Sequence, residues 1–306
     1  MSASDLKPGG LSRRAALIVA FIGLAAVSHA VIFIRLADAP ALVIALARVA
    51  LATAIFAPFG WWAARRLAGL DAPTRRRSLV LSLVAGLFLA LHFASWIASL
   101  QRITIAESTV LVSLTPVWVA LIDLAAGRGA PGRALGLAIL LCLAGTGVLA
   151  FDGAQRVDGD PVGLALAAAG GLFMALYLVA GRGARTVLPT PSYVGLCYGA
   201  ASVLLLGSAL ALGLPLTGYT GETLLALTAL GLVSQVIGHT SYNWTLSTLP
   251  PVFVAICLLG EPVLGSLFGW LYLSEAIPPG AAAGGVLILA GIALAVRAEM
   301  RAAETG

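Results

Sequence analysis

His92, Trp96 and Ser99 follow one another at i, i+4 and i+7, with Ser95 beside them; Gln235, His239 and Tyr242 repeat that spacing, with Ser234 and Asn243 adjacent. On a helix each set falls on one face. Rings on such a stripe stack on the apolar part of a small ligand, and amides, hydroxyls and imidazoles bond its charged ends. The other use of the same groups is hydrogen bonding between helices. Neither set pairs a nucleophile with a base, so no catalytic residue is assigned. The three histidines (His29, His92 and His239) lie on separate segments with no cysteine or carboxylate at ligand spacing. A zinc site needs about three or four convergent ligands, so no metal and no cofactor is expected. The chain has no GxxxxGK loop, so ATP is not its direct energy source.

Isolated charges and prolines stand in the same apolar territory. Arg48 lies within "PALVIALARVALA" and requires a partner, either protein carbonyls or a ligand carboxylate. Glu107, in "QRITIAESTV", is placed to meet Arg102 or a ligand ammonium. Glu261 directly precedes Pro262 near the middle of an apolar run. It suits proton coupling, ammonium recognition or a neutral structural role. Asp123 is expected to pair with Arg128. Pro116 and Pro262 each remove a helical hydrogen bond and crowd the carbonyl four residues earlier, here Val112 and Leu258. They are expected to kink two helices, as gating hinges or as fixed bends. Tyr177, in "GGLFMALYLVAG", lines a cavity or packs outward.

The elements that must hold these residues are set by composition. Hydrophobic residues make up 60% of 306 and charged residues only 10%, with a mean hydropathy of +1.02. Soluble domains carry roughly 25% charged residues, so the chain is read as an integral membrane protein. Runs near the ~20 residues needed to cross a bilayer fall at 15–36, 40–60, 79–100, 104–124, 133–151, 161–180, 191–213, 222–245, 249–272 and 281–297. The first run lacks the cleavage site of a signal peptide and is taken as a span. With the N-terminus inside, fourteen Lys and Arg (Lys7, Arg13, Arg14, Arg65, Arg66, Arg75, Arg76, Arg77, Arg128, Arg133, Arg182, Arg185, Arg297 and Arg301) fall in inner loops. Only Arg35, Arg102 and Arg156 fall outside. The positive-inside rule therefore predicts cytoplasmic termini in a bacterial inner (plasma) membrane. The basic residues are scattered between spans, which argues against nucleic acid.

The halves resemble each other. "LCLAGTGVLA" at 141–150 and "LILAGIALAV" at 287–296 align at an offset of 146, which also places Pro116 on Pro262 and Trp96 on Tyr242. Five spans per half is an odd number, so the second half enters from the opposite side. The fold expected is all-α and polytopic: ten transmembrane helices as two inverted five-helix repeats around a central cavity, the plan of many secondary transporters. Residues 1–151 form the first repeat, 152–160 an outer linker and 161–306 the second.

"PALVIALARVALA", "SWIASLQRITIAESTVLVSLTPVWVALI" and above all "LPPVFVAICLLGEPVLGSLFGWLYLSEAIPPGAAAGGVLILAGIAL" resemble the drug/metabolite transporter superfamily, in particular its ten-helix EamA-type exporters. The resemblance covers essentially all ten spans. It implies a non-enzymatic carrier of small polar metabolites, with the rings of helices 3, 6 and 8 pointing to exporters of aromatic and other amino acids. It also implies a structural or gating role for Arg48. The family's acidic residue after helix 4 is replaced by Gly129, so Glu275, its counterpart after helix 9, is taken as structural. The reading is amino-acid export by alternating access, with His92, Ser95, Trp96, Ser99, Tyr177, Gln235, His239, Tyr242 and Asn243 as substrate contacts. Arg48, Glu107, Pro116, Glu261 and Pro262 are assigned to gating or coupling. The partners expected are the substrate and membrane lipid, with oligomeric state left open. Export of cationic drugs or exchange of phosphorylated metabolites is the alternative; a channel or an intramembrane enzyme fits the pattern less well.

Overall fold

The structure, a computed structural model, describes residues 11–153, 160–273 and 279–304. Among them every regular element is a helix: α1 (Arg13–Val27), α2 (Ala30–Leu36), α3 (Ala41–Leu67), α4 (Ala72–Leu100), α5 (Ile105–Val112), α6 (Thr115–Ala125), α7 (Arg133–Gly153), α8 (Pro161–Ala184), α9 (Thr190–Ala211) and α10 (Gly221–Ala229). A π-helical segment, Leu230–His239, leads into α11 (Thr240–Thr245), followed by α12 (Pro251–Leu258), α13 (Glu261–Leu273) and α14 (Pro279–Glu304). Joined end to end, these make nine apolar spans of at least 18 residues and a shorter one, Arg133–Leu149. Leu140, Val203, Leu225 and Val286 are among the large apolar side chains on the exterior. Such a surface is stable against hydrocarbon and not against water. Glu275, Lys7, Arg156 and most of the expected linker lie outside the described residues.

The helix starts follow local chemistry. Asp71 caps α4 by accepting from Thr74 N at 3.0 Å, so that helix begins seven residues before its apolar run and carries Arg75, Arg76 and Arg77 in its first turns. Asp160 caps α8 through Val162 N at 3.0 Å, with Pro161 at its first position, where no N–H is needed. Thr104 and Glu107 form a reciprocal capping box at α5. The two spans that carry Pro116 and Pro262 are cut in two, whereas α3 runs unbroken past Pro58. The fourth breaks between α5 and α6, just before Pro116, and the ninth between α12 and α13, just before Pro262. Thr115 Oγ1 bonds the Val112 carbonyl at 2.7 Å, the one that Pro116 would crowd.

The last spans of the two halves show the inversion directly. A Cβ added to Gly145 on α7 would lie 2.5 Å from the Gly284 carbonyl oxygen, and one on Gly291 2.8 Å from that of Ala138. As α14 is followed forward its contacts on α7 run backward, so the two helices are antiparallel. At the offset of 146, Gly291 is the counterpart of Gly145 and Gly284 that of Ala138. The two contacts are therefore one contact seen from either half. Cys142 Sγ, 3.5 Å from the Ile288 carbonyl, meets its own counterpart residue. α4 packs on α8 in the first such pairing near the centre, and α1 packs on the π-helical segment and α11 in its mate. The protein is a multi-pass membrane protein of two inverted halves.

Candidate functional site

Arg48 stands at the centre. It shares the inward face of α3 with Ile44, Ala45 and Ala52, and none of its side chain is exposed. Nε donates to Gln235 Oε1 at 3.0 Å, and the guanidinium carbon lies 3.9 Å over the Phe93 ring. Nη1 and Nη2 have no partner. The expected carbonyl partner is thus replaced by a side-chain amide from the other half and an aromatic face. Glu261, in the other half at the start of α13, makes no ion pair with Arg48 within 4.0 Å among the described residues.

The first stripe lies on α4. His92 Nδ1 is 2.9 Å from the Gly170 carbonyl, and a carbonyl only accepts, so Nδ1 carries the proton there. The His92 and Trp96 rings stack, 5.9 Å apart and 5° from parallel. Ser95 donates to the Leu91 carbonyl at 2.7 Å and Ser99 to that of Trp96 at 2.7 Å, with Ser99 also 2.8 Å from Ser108 on α5. The serine protons are held by their own helix.

The second stripe divides. Tyr177 donates to Asn243 Oδ1 at 2.7 Å, and Asn243 Nδ2 donates to Tyr198 OH at 3.0 Å. Tyr198 OH lies 3.1 Å from Thr240 Oγ1, which donates to the Gln235 carbonyl at 3.3 Å. This closed relay ties α8, α9, the π-helical segment and α11 together. It places Tyr177 fully inside the bundle, not against lipid. By contrast Gln235 Nε2, His239 Nδ1 and Tyr242 OH are buried without partners. His239 meets Phe93 edge-on at 5.1 Å and Tyr242 at 6.2 Å. In this conformation the centre is closed: His92, Trp96, Tyr177, Gln235, His239, Tyr242 and Asn243 are all buried. An apolar groove lined by Val43, Leu51 and Leu227 lies between α3 and α10, apart from these residues.

Two expectations at the periphery turn out differently. Glu107 does not meet Arg102: its Oε2 accepts from Thr104 N and Oγ1 at 2.9 Å, while Arg102 pairs with Asp160 at 2.8 Å. The capping geometry of α5 holds the carboxylate on its own helix. Asp123 does pair with Arg128, at 2.7 Å. Phe93, Tyr198 and Thr240 escaped the sequence reading. Phe93 is one residue from His92, and nothing in its type or spacing separates it from ordinary core. Tyr198 and Thr240 become polar partners only once α9 and α11 are docked.

The sequence profile of the EamA-like transporter family matches residues 14–151 and again 161–297. A protein of Archaeoglobus fulgidus described as an uncharacterized transporter is 24% identical over 232 residues, which cover 74% of this chain and 78% of that one. A crystal structure superposes with a TM-score of 0.75 at 22% identity, covering 95% of this chain and 99% of the other, a likeness of fold. Two profile matches, one per inverted half, account for nearly every span that builds the buried centre, and this chain belongs to the EamA-like transporter family.

Proposed function

We propose that this transporter moves amino acids or closely related small metabolites outward across the plasma membrane by alternating access, with both termini in the cytoplasm. The observation that carries the reading is the centre itself. Gln235 of the second stripe bonds buried Arg48, Phe93 beside the first stripe lies under its guanidinium, and Gln235 Nε2, His239 Nδ1 and Tyr242 OH are buried without partners. Buried polar groups without partners are costly in a bundle and suit a site that closes on a polar solute. The basic residues concentrated in the inner loops support the orientation. The breaks before Pro116 and Pro262, one in each half, support bending at the centre. In this reading residues 1–151 and 161–306 rock against each other.

The test is counterflow in proteoliposomes loaded with one unlabelled amino acid at a time, with and without a pH gradient. Accumulation of the labelled compound for one or more amino acids is the expected result. No accumulation of any amino acid by folded protein overturns the substrate class and moves cationic compounds forward.

A further inference from the structure

Among the described residues no carboxylate lies within 4.0 Å of the buried Arg48 guanidinium. Arg48 uses one guanidinium N–H, from Nε to Gln235, and leaves Nη1 and Nη2 without partners although the residue is completely buried. Glu261 opens α13 immediately after the break in the ninth span, and among the described residues Arg48 and Glu261 form no ion pair within 4.0 Å. Arg48 belongs to the first half and Glu261 to the second. Tyr242 OH and His239 Nδ1, also without partners, come from the second half.

We propose, on the basis of the transport reading above, that this pair is a receptor for a zwitterion. The α-carboxylate of an amino acid takes Arg48 Nη1 and Nη2, with Gln235 Nε2 beside them, and the α-ammonium donates to Glu261 and Tyr242 OH. The planar guanidinium fork matches a carboxylate through two parallel hydrogen bonds. An ammonium has three donors for acceptors such as a carboxylate and a phenolic oxygen. Trp96 and His239 then flank the side chain without selecting it narrowly. A ligand without the carboxylate leaves buried Arg48 unmatched and one without the ammonium leaves Glu261 unmatched, a source of discrimination. A ligand that carries both spans the two halves, so occupancy and closure share one free energy.

The reconstituted full-length chain separates the outcomes. Competition against labelled phenylalanine and leucine counterflow is measured for each amino acid, its amide, its decarboxylated amine and its desamino acid. The expected result for the native chain is that the amino acid competes at concentrations roughly tenfold lower or more than the three analogues. Arg48→Gln should bring amino acid and amide together; Glu261→Gln should bring amino acid and desamino acid together. If the native chain takes the amine or amide as readily as the amino acid, the zwitterion receptor is overturned while transport stands. If folded variants, checked by thermal unfolding and size exclusion, keep the native selectivity, the assignment to Arg48 and Glu261 is overturned. If Arg48→Gln does not fold, the native panel and Glu261→Gln decide. If no compound in either set competes or moves, the amino-acid reading itself fails, and the receptor with it.

Discussion

At the scale of single residues, the polar centre divides into side chains that hold each other and side chains with atoms to offer. Tyr177, Asn243, Tyr198 and Thr240 are joined in a relay. Tyr177→Phe removes a donor and leaves buried Asn243 Oδ1 without it, a change that costs about 1–3 kcal/mol. The expected outcome is a lower unfolding temperature in detergent with substrate affinity nearly unchanged. Trp96 and Tyr242 are placed to meet ligand, and an aromatic contact is worth about 0.5–1.5 kcal/mol beyond its buried area. Trp96→Ala and Tyr242→Ala are therefore expected to weaken binding at least several-fold. Native uptake by both variants at subsaturating substrate would remove the stacking role. The sequence period placed His92, Ser95, Trp96 and Ser99 on one face. It had no means of showing that the serine protons bond their own helix, because that depends on side-chain rotamers set by packing.

Elements carry the bending and the ends. The breaks before Pro116 and Pro262 fall at symmetry-related places, and Pro116→Ala restores a helical donor at the first. The expected outcome is slower counterflow with little change in equilibrium binding; equal losses in both would make the break a fixed bend. At the N-termini of α4 and α8, hydrogen bonds set the charge of two capping carboxylates. The Arg102 guanidinium, then the Val162 N–H, hold the Asp160 carboxyl below its ordinary range. The Thr74 N–H and hydroxyl do the same for Asp71. Because both are lowered on folding, the stability they contribute is complete above about pH 4, the unfolded carboxylate value, and is lost as pH falls through the lower folded value. Unfolding temperature in Asp160→Asn should therefore lose part of the native fall on acidification below that point. The π-helical segment Leu230–His239, which carries Gln235 and its bond to Arg48, was not legible, because hydrophobic period does not separate it from an α-helix.

At the scale of the whole molecule, the halves are joined through α7 and α14, where Gly145 and Gly284 bring backbone to backbone. An added Cβ on Gly284 would lie 2.4 Å from the Gly145 carbonyl oxygen, too close for any side chain. Gly284→Leu is expected to lower the unfolding temperature and yield, whereas Gly147→Leu, where an added Cβ meets nothing within 4 Å, should leave both near native. Equal stability of the two variants would remove this interface as the main join. On the side carrying the excess of basic residues, Arg182 bonds the Leu246 carbonyl, Arg185 bonds those of Asn243 and Leu188, and Arg13 pairs with Glu299 at 3.0 Å. Burial pushes the Arg185 guanidinium down to about 10, so it remains charged at neutral pH. These bonds tie α8 to α11 and α1 to α14.

The sequence by itself determined the solvent, the spans, the inverted repeat and the faces of α4 and the eighth span. Each follows from composition or from period, which survive without knowledge of any neighbour. The offset of 146 matched Gly145 with Gly291, and the structure adds that α7 and α14 pair about those glycines. Tertiary structure alone decided the partners. Arg102 went to Asp160, and Arg48 found Gln235 and Phe93. A charge is satisfied by whatever group lies within hydrogen-bond reach, and that is set by how helices distant in sequence dock.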